Sequence, residues 1–235
     1  MLDCLNIRKL SPSKPQISLH NHVAHNMKKL ILLIISIIFF SCKTESQEKI
    51  NYADFFKSCL NKKEISLLNK GCEFFEKELL KNYDSAKISN SYKDFLEGFQ
   101  TMQIPRKIFA NTETTEFLNS LKKSGLFNKI WKKNEDKNDE IIIITAPIEN
   151  EEIKTEKDFF QINENGIYFN CLMDKYQNPN LKKFLKTIKE TPDISPRISA
   201  HLLTLELNEK EFDSGIVRLI IAINFYYELK INLTE

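Results

Sequence analysis

The segment from Ile216 to Tyr227 constrains the fold more than any other part of this chain. Apolar and aromatic side chains occupy nearly every position, so a helix built from them is apolar around its whole circumference. Such a helix is stable in water only when other elements surround it. The sequence therefore predicts a central, largely buried helix, which we expect to run roughly from residue 209 to residue 229.

Arg218 is the one cation within this apolar stretch. A buried guanidinium needs a carboxylate partner. The candidates are Asp213, Glu206 and Asp174. The ordinary interpretation is that Arg218 points outward or closes a structural ion pair, and the alternative is an anion-binding arginine in a pocket.

Amphipathic patterns predict helices upstream of this segment. The strongest runs from Ile65 to Tyr83, where apolar residues recur at steps of three and four, and Gly71 inside it indicates a closely packed neighbour. We also expect a short helical segment over residues 52–60. A helix capped at 89–91 should end before Pro105, and one beginning near 112–115 should end at Gly125.

Later helix starts are marked by caps. Asn178-Pro179 and Ser195-Pro196 each place a capping side chain before a proline at the first helical position. Asn208 with Glu211 resembles a capping box that opens the last helix. Residues 167–176 could form a helix or follow a turn at Asn165-Gly166, and we favour the helix.

Strand signals are few. Ile141 to Ile144 is the clearest candidate, residues 158–162 could pair with it, and the mixed charges of Lys132 to Glu140 predict an exposed loop. The expected fold is mainly α, a single helical domain of about six to eight helices with at most a small β-hairpin near residues 141–163. An α+β fold is the alternative.

The segment from Met27 to Cys42 has the parts of a secretory signal peptide. Lys28 and Lys29 precede an apolar run from Leu30 to Phe40 that is interrupted only by Ser36. As a helix this run extends about 16 Å, against a hydrocarbon core of about 30 Å. It is too short for a stable transmembrane helix.

Cys42 directly follows the apolar run, and a polar stretch comes next. Phe39-Phe40-Ser41-Cys42 resembles the lipobox of bacterial lipoproteins, although two phenylalanines stand where aliphatic and small residues are usual. The resemblance implies cleavage between Ser41 and Cys42 and acyl chains, such as palmitate, on Cys42. It also implies anchoring in the cell envelope, most naturally at the outer membrane, on its periplasmic face or at the cell surface. A signal peptide cleaved elsewhere, or an uncleaved signal anchor, is the alternative.

These features divide the chain. We expect residues 1–26 to be an extension before the true start at Met27, or else a long basic leader region. Residues 27–41 are the expected signal peptide, residues 42–50 the lipidated cysteine and flexible tether, and residues 51–235 the helical domain.

Charge excludes one class of partner. The chain carries 34 Lys and Arg against 32 Asp and Glu. Since five basic residues and one acidic residue lie at or before Cys42, residues 43–235 have 29 basic and 31 acidic side chains, a net charge of about −2. No electrostatic argument for nucleic-acid binding remains.

Three cysteines follow Cys42, and an oxidising envelope would allow one disulfide and one free thiol. Cys59 and Cys72, which flank a predicted helix–helix turn, are the first pair to consider. The interpretation that we slightly favour is that all three are small buried side chains. Their spacing matches no zinc site.

Candidate catalytic residues are weak. His201 lies among Ile198, Leu202 and Leu205 at helical spacing, which predicts a partly buried histidine with a satisfied hydrogen bond. A role as general base or metal ligand lacks identifiable partners, and nothing near Cys171 marks it as a nucleophile for His201. No motif for a hydrolase, nucleotide-binding or metal-dependent enzyme is present, so we expect no cofactor or metal.

Three functional classes remain. We favour a lipid-anchored, non-enzymatic module that binds a protein, peptide or glycan. The alternatives are a lipid-anchored hydrolase without a recognisable motif and an inhibitor or immunity-type lipoprotein. An enzyme should bring His201, Arg218 or Cys171 together with carboxylates in one pocket, whereas a binding module should expose an apolar patch.

Overall fold

The computed structural model describes residues 50–134, 158–191 and 194–234. Helices predominate in these residues and are accompanied by one small antiparallel sheet, which confirms the predicted mainly α fold. The predicted signal peptide, Cys42, the tether up to residue 49 and the candidate strand from Ile141 to Ile144 lie outside the described residues. None of the described helices is both long and apolar enough to cross a bilayer.

Eight helices are numbered in chain order. They are α1 (Lys62–Asn82), α2 (Ile88–Thr101), α3 (Thr112–Ser124), α4 (Phe127–Ile130), α5 (Ile167–Lys175), α6 (Pro179–Glu190), α7 (Pro196–Glu206) and α8. Helix α8 has three consecutive segments, which are α-helical Gly215–Ile221, π-helical Ala222–Tyr227 and α-helical Glu228–Thr234. Short 3₁₀ helices cover Asp54–Ser58, Arg106–Phe109 and Glu209–Asp213.

Helix α8 is the centre of the hydrophobic core. Every residue from Ile216 to Ile231 is buried, which confirms the predicted central helix. The Tyr226 ring stacks on Phe75 of α1 at 4.4 Å and on Phe109 at 5.4 Å between centroids. The predicted start of this helix was wrong. The capping box formed by Asn208 and Glu211 opens the 3₁₀ helix Glu209–Asp213, and α8 begins only at Gly215.

The predicted close contact at Gly71 is confirmed. A Cβ on Gly71 would lie 2.5 Å from Cζ of Phe117 in α3, so a larger side chain would push the two helices apart. The Gly71 carbonyl also accepts a hydrogen bond of 2.8 Å from the Tyr227 hydroxyl. Glycine therefore permits α1, α3 and α8 to approach closely.

Most predicted helix ends are confirmed. Asn178 and Ser195 cap α6 and α7, and Gly125, with φ of 76°, ends α3. The cap predicted at residues 89–91 was wrong, because α2 begins at Ile88 and Ser89 and Ser91 are buried inside it. The longer helix brings its aromatic side chains into the core, and this packing outweighs the capping preference of serine.

Two short strands form the sheet. Strand β1 (Trp131–Asn134) pairs antiparallel with β2 (Phe159–Ile162), with Trp131 opposite Ile162. The strand expected over residues 158–162 is confirmed, but among the described residues its partner is β1 and not the expected Ile141 to Ile144, and residues 132–134 were wrongly predicted as loop. Lys132 and Lys133 suit a strand because their ammonium groups pair with the buried Glu164 and the exposed Asp158, while the side chains of Trp131 and Asn134 are buried.

Candidate functional site

Arg218 is buried near the start of α8, with 3% of its surface exposed. Its Nε donates to the Phe212 carbonyl at 2.8 Å, and its two terminal nitrogens lie 3.2 Å from Glu76 and 3.3 Å from Asp213. The predicted partner Asp213 is therefore confirmed, and Glu206 pairs with Lys183 instead. Glu76 was missed because it lies 142 positions away in the chain.

Two tyrosines complete the environment of Glu76. Tyr52 donates to one carboxylate oxygen at 2.8 Å and Tyr92 to the other at 3.3 Å. Burial, followed by the charge of Glu76, raises the pKa of both hydroxyls, so both stay protonated and remain donors. Arg218 also lies over the Tyr92 ring, 5.6 Å from its centroid. The polar groups of this network are hydrogen-bonded to one another, and we interpret the network as structural.

His201 is exposed on α7, so its predicted partial burial was wrong. Its Nδ1 lies 3.1 Å from Oε1 of Gln100 in α2, which confirms that it has a hydrogen-bond partner. Its predicted neighbours Ile198 and Leu205 are also exposed, at 52% and 66%. Helix α7 packs against the core through its opposite side, which includes Ala200 and Leu203.

The favoured interpretation, three small buried side chains, was wrong for two of the cysteines, and the candidate pair Cys59–Cys72 was wrong as well. Cys59 forms a disulfide with Cys171 of α5, while Cys72 is a free, buried thiol. Burial and the nearby charge of Glu76 raise the pKa of Cys72, so its thiol stays protonated and unreactive. Because the Cys171 sulfur is in a disulfide, the hypothetical Cys171–His201 nucleophile pair is not supported.

Lys230 is a second buried cation in α8 that the sequence analysis missed. Its Nζ donates to the Phe109 carbonyl at 2.6 Å and to the Asn111 carbonyl at 3.0 Å. Burial lowers its pKa, and the charge of Glu78 opposes that shift. Lys230 ties the end of the 3₁₀ helix Arg106–Phe109 to α8.

An open polar cleft of about 400 Å³ lies beside the first turn of α2. Its lining consists of Asp84, Ser85, Ala86, Ser89, Asn90, Lys93, Asp94, Glu97, Glu209 and Phe212. Ser85 donates to Asp94 at 2.6 Å, and Lys93 lies 3.9 Å from Glu209. The charged groups of this cleft are solvated and partly paired with one another.

Polar side chains of α8 hold the outer edge of β2. The Asn232 amide accepts from the Phe160 backbone N–H and donates to the Phe160 carbonyl, both at 2.7 Å. Glu228 accepts from the backbone N–H of Ile162 at 2.9 Å. These side chains occupy the place of a third strand. Their spacing of four residues on an otherwise apolar helix is a signal that could have been found in the sequence.

A small cavity of about 40 Å³ lies where β2, α6, α7 and α8 meet. Its described lining residues are Phe159, Gln161, Ile162, Glu164, Phe184, Ile188, Ile194, Pro196, Ser199, Asn224, Phe225 and Glu228. Asn224 accepts a hydrogen bond of 3.0 Å from Tyr168. Two carboxylates therefore share one cavity whose remaining walls are mostly apolar.

Glu164 is the exceptional member of this lining. It is only 7% exposed, and its Oε1 accepts from Lys132 at 2.6 Å and from Asn165 at 3.1 Å. Its buried Oε2 accepts no hydrogen bond from any residue that the structure describes. Most buried carboxylate oxygens in proteins have a donor, so this one calls for an explanation.

His201, Arg218 and Cys171 therefore lie in three separate environments. Residues of the cavity were not identified from the sequence. In comparisons with protein-family models, curated proteins and solved structures, nothing matches this chain. The function must be argued from the geometry.

Proposed function

We propose that this protein is a lipid-anchored component of the bacterial cell envelope whose helical domain binds another molecule and does not catalyse a reaction. The observation that carries the proposal is the disulfide between Cys59 and Cys171. Disulfides persist in oxidising compartments and are rare in the cytosol. The disulfide thus supports export, which is what the pattern from Met27 to Cys42 predicts.

The binding role is supported by how the side chains are arranged. Arg218 is enclosed by its own carboxylate partners, and Cys171 is in a disulfide. Helix α7 instead exposes Ile198 and Leu205 on its surface. These two side chains are seven residues apart and so lie on one face of the helix, and contiguous exposed apolar surface of this kind marks interaction sites.

Anchoring is tested by replacing the cysteine that would carry the acyl chains. Wild-type protein should sediment with membranes and enter the detergent phase on phase separation, and Cys42→Ser should lose both properties because it has no thiol to acylate. Cys4→Ser, which leaves Cys42 in place, is the matched control. Equal membrane association of wild type and Cys42→Ser would refute lipidation.

Export is tested by thiol counting in protein taken directly from cells. Alkylation under denaturing, non-reducing conditions should leave Cys59 and Cys171 unmodified and label Cys72, as read from peptide masses. Labelling of all three would contradict the disulfide and remove the main support for an oxidising location.

Binding by α7 is tested with envelope extracts. A partner recovered with the wild-type protein should be lost with Leu205→Lys, since a charge in the apolar face opposes its burial. Lys182→Glu, on neighbouring α6, is a suitable control for a general charge effect. Equal recovery with Leu205→Lys would exclude this face as the binding surface.

A further inference from the structure

We propose that the exposed face of α7 binds a second copy of this chain, with the two α7 helices antiparallel across a two-fold axis. The proposal rests on the binding role proposed for α7 above and names its partner. It does not depend on how the protein is anchored. Three features of the surface support it, namely its apolar side chains, the unlike charges at its two ends and the symmetry that relates them.

The apolar part of the surface is spaced symmetrically along α7. Ile198 and Leu205 lie on one side of the helix, two turns and about 10 Å apart, and the exposed His201 lies between them. A two-fold axis that passes beside His201, perpendicular to α7, places Ile198 of one copy opposite Leu205 of the other. A surface that matches itself in this way is what an isologous dimer requires.

The amino-terminal end of the surface carries a positive charge. Arg197 directly precedes Ile198 and is exposed. Its guanidinium group forms no ion pair or hydrogen bond with any residue that the structure describes. Because a guanidinium group presents N–H donors in a planar fork that fits a carboxylate, Arg197 is suited to an acidic side chain on the binding partner.

The other end of the surface is bordered by a negative charge from α2. Gln100 of α2 donates to Thr204 of α7 at 2.9 Å. Lys93, two turns earlier in α2, lies 3.9 Å from Glu209, which follows α7. The two helices are therefore antiparallel, and the exposed Glu97, between Lys93 and Gln100, lies beside the carboxyl end of α7. Within the described part of the chain the Glu97 carboxylate has no cationic partner.

The two-fold axis brings these unlike charges together. Arg197 and Thr204 are seven residues apart, so Arg197 lies on the side of α7 that faces α2. The axis reverses positions along α7 and keeps each side chain on its own side, so Arg197 of one copy faces Glu97 of the other. By symmetry this pair forms twice.

The charges also select the partner and its orientation. Two parallel α7 helices would bring the two copies of Arg197 together, and like charges in an interface are unfavourable. A wholly acidic or wholly basic partner would satisfy one end of the surface and be repelled by the other. A second copy in the antiparallel orientation satisfies both ends and covers Ile198 and Leu205.

The test uses two full-length copies that carry different C-terminal affinity tags and are produced in the same bacterium. After extraction in mild detergent, purification through one tag should recover the other copy. Leu205→Lys in both copies should abolish this recovery, because it places a charge in the apolar part of the interface. Lys182→Glu, on neighbouring α6, should leave the recovery unchanged. Two copies that merely share a micelle would be recovered equally well with Leu205→Lys.

Exchanging the charges tests the orientation. Arg197→Glu and Glu97→Arg should each lower the recovery about tenfold, because each places like charges opposite one another at two positions in the dimer. The double variant Arg197→Glu/Glu97→Arg should restore it, since unlike charges face each other again. Because Arg197 and Glu97 form no ion pair within one copy, this rescue reports a contact between copies.

Two results would overturn the proposal. One is the absence of the second copy from wild-type preparations, and the other is a double variant recovered no better than the single variants. If a different envelope protein is recovered in a way that depends on Leu205, and no second copy accompanies it, the second copy is excluded while the binding role of α7 stands. If neither a second copy nor any other protein depends on Leu205, both proposals about α7 fail.

Discussion

Arg218 near the start of α8 and Glu164 beside its later part are both buried and charged, but their surroundings differ. Arg218 is enclosed by Glu76, Asp213 and a backbone carbonyl. Glu164 has one oxygen paired with Lys132 and the other without a donor among the described residues. A charge whose partners all lie within the protein supports the fold, whereas a buried acceptor without a donor lowers its stability.

Breaking the Arg218 network should have the largest effect on stability. Arg218→Met should lower the free energy of unfolding by about 3–5 kcal/mol, because it leaves the largely buried Glu76 without a cation. The measurement is urea denaturation at neutral pH. The control Lys183→Met removes the ammonium group of a lysine side chain that is 72% exposed and pairs with Glu206, and should change stability by less than about 1 kcal/mol. Equal effects would mean that the network is not structural.

An intermediate effect is expected where α8 replaces a third strand. Asn232→Leu should cost about 1–2 kcal/mol, because the N–H and carbonyl of Phe160 both lose their partner. Asn232→Asp keeps an acceptor for the N–H and should cost less. The same denaturation experiment checks both, and an Asn232→Asp variant less stable than Asn232→Leu would contradict this account.

A smaller effect is expected at the cavity. Glu164→Gln loses the ion pair with Lys132 but also removes a buried charge whose Oε2 has no donor in the described structure. These terms offset, so the free energy of unfolding should change by less than about 1 kcal/mol. A loss as large as that of Arg218→Met would show that Glu164 is structural and would remove the contrast between the two regions.

The smallest expected effect is the pH dependence of the stability that comes from Glu64, a buried carboxylate paired with Lys129. Burial raises the pKa of Glu64, but the hydrogen bonds from Lys129 and the Asn61 backbone outweigh it and leave the pKa lowered. The resulting stability is present above the unfolded-state pKa and is lost as the pH falls through the folded-state pKa. The stability difference between wild type and Glu64→Gln should therefore be larger at pH 7 than at pH 3.

The control for this titration removes the cation. In a Lys129→Met background the pH dependence of the Glu64→Gln effect should shrink, since the main bond that lowers the pKa is gone. An unchanged dependence would assign the lowered pKa to the Asn61 cap alone.

Local patterns predicted much of the fold. Asn178-Pro179, Ser195-Pro196 and Gly125 mark helix ends correctly, because a cap depends on residues only two or three positions away. Gly71 correctly predicted a close neighbour, although the neighbour itself, Phe117, could not be named. The prediction failed at residues 132–134, because Lys132 and Lys133 indicate an exposed loop, whereas this segment is a strand that pairs with the distant β2.

The candidate sites were harder to predict than the helices. Asp213, five residues away, was one of three candidate partners named for Arg218, but Glu76 was missed. The sequence slightly favoured three unpaired cysteines and gave the nearby Cys59 and Cys72 as the first candidate pair, whereas Cys59 pairs with Cys171, 112 positions away. The cavity went unnoticed because its lining comes from β2, α6, α7 and α8, and no single segment contains its pattern.

The sequence alone determined that the chain forms amphipathic helices around one apolar helix, since hydrophobic period and caps act within a few residues. Only the tertiary structure decided which cysteines pair and which carboxylates bind Arg218. It also decided that Glu164 and Glu228 line the same cavity. The physical reason is that these contacts join residues far apart in the chain. Their geometry depends on how whole helices pack, and the π-helical turn in α8 directs Asn224 and Glu228 to the cavity.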